Sequence, residues 1–231
     1  MSELILSIII DAVIVIMSIL LVKKVKPNKS NLLNLAFGTF WLGVAGIYLF
    51  SGLTDVGGML NSVYLSRLTT IITLALVVIP VFCLALFLSA TSLKKTTLWI
   101  LPAITGLIGL SYLYLVTTNP LAGPEIGWTV KYYIQNPEAL MLIQYTGYLC
   151  FTLASLLALI AFRARKTSIF IQFNSVALSM GLFFLGGYLD LIGTTGIETV
   201  LIRLLIVIGA IIGYIGFAPG IKLMKIAHKL S

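Results

Sequence analysis

Seven apolar stretches, each long enough to cross a bilayer as a helix, constrain this chain more than any other feature. Crossing the hydrocarbon core takes about 20 apolar residues per helix, and 60% of the 231 residues are hydrophobic while only 10% are charged. The stretches are residues 4–22, 31–52, 67–91, 97–116, 139–162, 169–192 and 199–219. They do not alternate polar and apolar residues, as membrane-spanning barrel strands do. The sequence therefore predicts an all-α, polytopic membrane protein with a single seven-helix domain over residues 1–231.

The basic residues are concentrated on one side of the predicted helices. Twelve of the fifteen Lys and Arg residues follow the first, third, fifth and seventh stretches, whereas Arg67, Lys131 and Arg203 fall on the other side. Because cytoplasmic loops accumulate Lys and Arg, we expect the N-terminus outside and the C-terminus in the cytoplasm of a multi-pass cell-membrane protein. The same placement indicates that the net charge of +8 serves contact with the lipid bilayer and not with nucleic acid.

Two local features refine this plan. Pro80 lies inside the third stretch and should kink that helix, because proline removes a backbone hydrogen bond. Beyond the seventh stretch, residues 221–230 place three lysines on one side of a helix and apolar residues on the other. This pattern predicts an interfacial helix on anionic lipid headgroups, and a frayed basic end is the alternative.

The chain contains an approximate internal repeat. Residues 48–68 and 188–204 both begin Tyr-Leu, pass through Thr and Gly, and end Leu-x-Arg-Leu, and the first copy has four more residues in its loop. Upstream of the tyrosines the match continues without a gap at an offset of 140 residues. The repeat pairs Gly46 with Gly186, Tyr48 with Tyr188 and Arg67 with Arg203. We therefore expect two parallel three-helix units joined by a linker helix, a 3+1+3 arrangement.

Several kinds of intramembrane chemistry are excluded by residues that the spans lack. His228, the only histidine, falls in the tail, so a paired-histidine haem, a His-built metal site and a Ser-His triad are excluded inside the membrane. All eleven lysines fall in loops or at helix ends, so no retinal Schiff base can form within a span. A GxxxxGK[ST] phosphate loop is also missing. We expect a non-catalytic protein that needs no cofactor and no metal.

Charged residues inside the predicted spans point to a candidate site. A charge within a span is costly and usually faces the bundle interior beside a partner. Asp11 lies too deep for its short side chain to reach the headgroups, and Arg203 enters from the same side on the last helix, which neighbours the first in a closed ring. We predict that Asp11 and Arg203 face one interior cavity, paired directly or bridged, with Arg67 as the related wall on the third helix.

Polar and aromatic residues complete the candidate ligand-binding set with Asp11, Arg67 and Arg203. They are Asp190, Gln144, Tyr48, Tyr188 and Tyr145. One interpretation is a small-molecule pocket that opens to the outside and is rimmed by aromatic rings. The other is a group of structural ion pairs beside the aromatic belt found at membrane interfaces. Three further charges are expected to be solvated, as loop charges normally are: Asp55, Glu125 and Lys131.

The 3+1+3 plan with its outside N-terminus resembles the seven-helix sensor modules that precede the kinase domain in some bacterial and archaeal histidine kinases. It resembles more weakly the SWEET and PQ-loop sugar transporters, which are built from parallel three-helix repeats. The resemblance covers the whole chain at the level of architecture and matches no motif residue by residue. The sequence departs from the transporters in lacking a Pro-Gln pair. It also departs from the sensor kinases in our expectation that no output domain follows the seventh stretch.

The resemblance implies a stand-alone, sensor-like or accessory heptahelical protein that binds an unidentified small molecule. A cytoplasmic or membrane protein partner would receive its signal. A small-solute transporter is the first alternative, and a structural subunit of a larger membrane complex is the second. A measured flux of solute would identify the transporter. Copurification of a partner would instead favour the sensor or the structural subunit.

Overall fold

The computed structural model describes residues 2–27, 32–92, 97–119, 121–138, 170–192 and 195–217. Seven helices are present in these ranges: α1 Ser2–Val25, α2 Leu32–Met59, α3 Val63–Leu76, α4 Val78–Ser92, α5 Ile100–Thr118, α6 Phe170–Ile192 and α7 Ile197–Gly216. Two strands lie between α5 and α6: β1 Leu121–Ile126 and β2 Val130–Ile134. The predicted fifth stretch, 139–162, and the predicted tail helix, 221–230, lie outside the described residues.

Within the described residues, five helices are long and apolar enough to cross a membrane. They are Ser2–Val25, Leu32–Met59, Val63–Thr91, Ile100–Thr118 and Ile197–Gly216. They correspond to the first four predicted stretches and the seventh, and the sixth stretch forms α6. The described part of the chain is therefore mostly helical, with apolar helices of the length that a membrane protein requires.

The third of these long helices is broken where Pro80 predicts a kink. α3 ends at Leu76 and α4 begins at Val78, so the break falls at Val77. The proline ring clashes with the carbonyl group four residues earlier, which is that of Leu76, and proline has no N–H to donate to it. The Val77 N–H donates to the carbonyl of Leu74 at 3.3 Å, and the Val77 backbone stays in the right-handed helical region. The regular helix is thus interrupted by one residue before Pro80, and the kink itself stays a prediction.

The first and last helices are neighbours, as the sequence predicts. α1 packs against α2 and α7, α6 packs against α7, and α2 also contacts α3 and α4. An aromatic core fills the space between α2, α4 and α6. Its rings meet edge to face, as in the 5.2 Å separation of the Phe40 and Phe183 centroids, a favourable arrangement for aromatic pairs. Phe37 stacks on Phe217, just after α7, at 5.6 Å.

The described residues are mostly helical, as the all-α prediction expects, and one short β-hairpin is added to the helices. β1 and β2 pair antiparallel, with Leu121 opposite Ile134 and Ile126 opposite Val130. The hairpin tip contacts the connection between α6 and α7, where the Trp128 N–H donates to the Thr195 carbonyl at 2.7 Å. Its strands are too short to give a periodic signal in the sequence, and their position depends on these contacts with distant helices. The hairpin brings the backbone of β2 against the bundle, beside the candidate site.

Candidate functional site

Arg203 is the centre of a buried ion network. It lies in the second turn of α7 and is only 3% exposed. Its Nη1 donates to Asp11 Oδ1 at 2.9 Å, and its Nε donates to Asp190 Oδ2 at 3.1 Å. The predicted pairing of Asp11 with Arg203 is therefore confirmed, and it is direct. A planar guanidinium suits this role because its fixed fork of donors can bind several acceptors at once.

Neutral groups occupy two more of the Arg203 donors. Nη1 also donates to Ser7 Oγ at 2.7 Å, and Nη2 donates to Thr129 Oγ1 at 3.1 Å. The ring of Tyr48 lies 5.9 Å from the guanidinium carbon, within the range of a cation–π contact. Four of the five N–H groups of Arg203 are thus engaged by α1, α6 and the hairpin.

Asp55 belongs to the same network, which corrects the prediction that it is a solvated loop charge. α2 continues to Met59, so Asp55 is helical, and it is completely buried. Its Oδ1 accepts hydrogen bonds from the Thr129 hydroxyl at 2.8 Å and the Val130 N–H at 2.7 Å, and its Oδ2 accepts one from Ser7 at 2.7 Å. Arg203 Nη1 lies 3.7 Å from Oδ2. These donors replace the water that a buried carboxylate loses.

Lys131 is also not the solvated charge that the sequence predicts, whereas Glu125 is exposed as predicted. The Lys131 ammonium donates to the Asp190 carbonyl and lies 3.4 Å from Asp190 Oδ1, with both side chains largely buried. Burial lowers the pKa of Lys131, and the carboxylate of Asp190 opposes that shift. Glu125 is exposed on β1 and accepts a hydrogen bond from the Tyr133 hydroxyl, which raises the pKa of Tyr133 to about 12.

A cavity of about 190 Å³ lies beside the network. Arg203, Asp190 and Lys131 line its polar end. Its walls come from α2, α3, α4, α5, α6 and β2, and they are mainly aliphatic and aromatic with interspersed hydroxyl groups. The aliphatic and aromatic lining includes Val77, Val78, Val81, Ile108, Phe183 and Phe184, and the hydroxyl groups include those of Thr54, Thr70, Thr73 and Thr105. An apolar space with charged groups at one end can hold a small molecule in a fixed orientation.

The structure brings together most of the predicted site residues that it describes. Tyr48, Tyr188, Asp190 and Arg203 line the cavity, and Asp11 adjoins it through Arg203. Gln144 and Tyr145 lie outside the described residues.

The structure contradicts the prediction that Arg67 belongs to the site. It is exposed on α3, and the neighbouring Ser66 is buried and shares a 2.8 Å hydrogen bond with the Tyr132 hydroxyl. Successive helix residues are about 100° apart around the axis, so an inward Ser66 turns Arg67 outward. Thr69, three residues after Ser66, is also buried. Arg67 is therefore not a wall of the cavity.

Two residues of the network escaped the sequence prediction. Ser7 lies four residues before Asp11, a spacing that places both on one face of α1, so this signal was available in the sequence. Thr129 lies at the hairpin and shares no spacing with a helix, and no sequence pattern indicates it. Asp11 itself packs against Gly52, where an added Cβ would lie 3.5 Å from the Asp11 Cβ.

Comparison with known proteins assigns no family to the chain. No protein-family profile matches it, and no curated protein matches it significantly in sequence. A function can therefore be proposed from the residues and their geometry.

Proposed function

We propose that this chain is a heptahelical membrane protein that binds a small molecule and acts as a sensor or receptor without catalysing a reaction. The observation that carries the proposal is the cavity of about 190 Å³ with a buried ion network at its polar end. A ligand in this space would contact residues of six helices and the hairpin at once. Binding that favours one arrangement of these elements shifts the population toward it.

Seven spans and a cytoplasmic C-terminus belong to the proposal. The apolar residues 139–162 contain no charged side chain and would supply the span between the hairpin and α6. The twelve-to-three division of basic residues supports an outside N-terminus. Reporter fusions after Lys26, Lys95, Lys166 and Lys229 should give a cytoplasmic signal, and a fusion at Asn119 an outside signal. A cytoplasmic signal at Asn119 would contradict the seven-span topology.

The state of the network supports binding over catalysis. Arg203 already uses four N–H groups on protein partners, and both Asp55 oxygens accept hydrogen bonds. Groups held in this way position a ligand and each other, whereas general acid–base catalysis requires a group that can reach and exchange a proton with substrate. The network is therefore suited to holding the helices in a defined arrangement around the cavity.

A thermal-stability screen with a cavity-filling variant tests the proposal. Small compounds are added to the protein in nanodiscs, and the compounds that raise Tm are retained. Ile108→Trp places a large ring in the cavity, since Ile108 lines it, and should abolish the rise. Leu107→Trp is the matched control, because Leu107 is 66% exposed on the same helix, and should preserve it. Compounds that stabilise both variants equally would show that the cavity is not the binding site.

A sensor also needs a protein that receives its signal. Copurification from the native membrane should yield a cytoplasmic or membrane protein partner whose association changes when a retained compound is added. A partner that stays bound regardless of every such compound would favour a structural subunit instead.

A small-solute transporter is the second candidate, and the interruption of the third span before Pro80 favours it. Val77, where one residue leaves the regular helix pattern, and Val78, at the start of α4, line the cavity. Irregular helices beside a binding site are a recurring feature of transporters. Flux of radiolabelled solutes into proteoliposomes would support this candidate if Ile108→Trp abolishes the flux and Leu107→Trp does not. A sensor should bind the same solutes without moving them.

A further inference from the structure

The ligand class follows from the charges at the polar end of the cavity, an inference that rests on the proposed function. The network beside the cavity contains three carboxylates, those of Asp11, Asp55 and Asp190, and two cations, Arg203 and Lys131. Asp190, Arg203 and Lys131 line the cavity itself. With all five groups ionised, one negative charge has no positive partner among the described residues. A buried charge without a partner is costly enough that a native site supplies a counter-charge or a proton.

Other charged side chains do not supply the missing cation. Arg67 is exposed on α3, and residues 139–162 contain no charged side chain at all. Glu198, exposed at the start of α7, acts on Lys131 as a further negative charge. Among the described residues, no other side chain therefore offsets the negative excess of the network.

Two carboxylate oxygens of the network can still accept a hydrogen bond. Asp11 Oδ2 is buried and accepts no hydrogen bond from the described residues. Asp190 Oδ1 likewise accepts none within that part of the chain, and its neighbour is the Lys131 ammonium at 3.4 Å. Asp190 lines the cavity. A ligand donor in the cavity can therefore reach a carboxylate that the protein has left partly unsatisfied.

An anionic ligand and a metal ion both fit this end poorly. An anion would add a second uncompensated negative charge, and four of the five Arg203 N–H groups already have acceptors. Across the described ranges, no group of three His, Cys, Asp or Glu residues converges in a way that could hold a metal ion. The carboxylates are instead turned toward Arg203 and the hairpin.

The walls suit an organic cation. Tyr48, Tyr188, Phe183 and Phe184 all line the cavity, and aromatic faces attract ammonium groups. A dry apolar cavity of about 150 Å³ accommodates benzene, so about 190 Å³ holds one ring with a short side chain. We infer that the ligand is a small amphipathic amine, whose ammonium group adds the missing positive charge to the network by contacting Asp190, its cavity-lining carboxylate, and whose apolar body fills the cavity.

Three probes of nearly equal shape test the inference: 2-phenylethylamine, 2-phenylethanol and phenylacetate. Binding is measured by calorimetry on the full chain in phosphatidylcholine nanodiscs at neutral pH, where the amine is charged. The amine should bind at least about tenfold more tightly than the alcohol, the factor expected for one ion pair or cation–π contact in a dry site. Phenylacetate should bind more weakly than both.

Variants connect this preference to the charge count. Asp190→Asn removes the negative excess and should bring the amine and the alcohol to equal affinity. Lys131→Met increases the excess and should widen the amine preference, so the inference stays testable if Asp190→Asn does not fold. Ile108→Trp should abolish binding of all probes, and Leu107→Trp should not.

The outcomes separate the inference from the proposed function. Suppose that the amine and the alcohol bind equally to the wild type and that neither binds to Ile108→Trp. The cavity would then remain a binding site, but a bound proton would neutralise the excess charge, and the inference of an amine ligand would be overturned. An amine preference unchanged by Lys131→Met would overturn it as well. Failure of all three probes would overturn the amine class, and failure of every screened compound would overturn the binding function too.

Discussion

Arg67 and Arg203 occupy matching places in two similar sequence segments, residues 48–68 and 188–204, yet their surroundings are opposite. Arg203 is 3% exposed and binds two carboxylates directly, whereas Arg67 is exposed. The buried positions at the start of α3 include Ser66 and Thr69, and those at the start of α7 include Arg203. The two helices therefore differ by about one residue, or about 100°, in the face that each turns inward.

Two other residue pairs that the predicted repeat aligns lie in similar surroundings. Tyr48 and Tyr188 both line the cavity. Gly46 and Gly186 both face the next helix: an added Cβ would lie 3.1 Å from a Leu76 methyl group in the first case and 2.7 Å from Ile206 in the second. Close helix contact requires small residues at a crossing whatever the surrounding chemistry. A buried arginine requires carboxylates as well, and Arg203 has them whereas Arg67 does not.

The largest effect should come from removing the buried arginine. Arg203→Met leaves three buried carboxylates with Lys131 as their remaining cation, and breaking a buried ion pair costs about 3–5 kcal/mol. Arg67→Met, at the matching position, should change the free energy of unfolding by less than about 0.5 kcal/mol. Unfolding of both variants by denaturant in mild detergent measures the difference. Equal losses would contradict the assigned burial of the two arginines.

A smaller loss is expected at Asp55. In Asp55→Asn the new NH₂ group must replace an oxygen that accepts hydrogen bonds, so Ser7 or the Thr129–Val130 pair loses its acceptor. Leaving one buried donor unsatisfied costs about 1–3 kcal/mol. Glu125→Gln, on the exposed side of the hairpin, is the control and should have little effect on Tm. Should the two substitutions prove equally mild, Asp55 would be a solvated charge after all.

The glycine pair sharpens the comparison between the halves. Gly186→Ala would bring a Cβ within 2.7 Å of Ile206 Cγ1 and 3.2 Å of the Ile202 carbonyl oxygen, and overpacking of this kind costs about 1–3 kcal/mol. Gly46→Ala meets the end of the flexible Leu76 side chain at 3.1 Å and should cost less. Thermal unfolding of the two variants shows which substitution lowers Tm more. A larger decrease for Gly46→Ala would mean that the α2–α3 crossing is the tighter of the two, contrary to the structure.

The smallest effect concerns the contact between the hairpin and α3. Tyr132→Phe removes the hydrogen bond between the Tyr132 and Ser66 hydroxyls, worth about 1 kcal/mol. Tyr64→Phe is the control, because Tyr64 is 80% exposed. Tyr132→Phe should also speed proteolytic cleavage in the hairpin, since a less firmly held segment opens more often. Identical cleavage rates in both variants would show that this bond does not hold the hairpin.

Local properties of the sequence predicted the helices, the break before Pro80 and the pairing of Asp11 with Arg203. Long apolar runs can satisfy their backbone in lipid as helices, and a deep carboxylate needs a partner that enters from the same side. The sequence did not predict which face of each helix turns toward the bundle interior. The inward face of α3 depends on a rotation of one residue, which is within the uncertainty of any helix boundary, and Arg67 was misplaced for this reason.

Tertiary contacts account for the rest of what the sequence did not show. Asp55 is buried because Thr129 and Val130 cover it from the hairpin, and these residues are more than a membrane span away in the sequence. The hairpin in turn is held by Thr195, on the connection before α7, and by Ser66, on α3. A burial of this kind is created by several distant segments together, and no single stretch carries a pattern for it.

The ion network also has a consequence for how the protein is made. Asp11 and Arg203 are separated by 192 positions, so ribosomes synthesise the acids of α1 and α2 long before the guanidinium that neutralises them. The nascent chain must deliver those carboxylates into the membrane as neutral acids, or keep them shielded by the insertion machinery, because an isolated charge there is costly. Arrival of α7 is thus the step of biogenesis at which the earlier helices acquire their counter-ion.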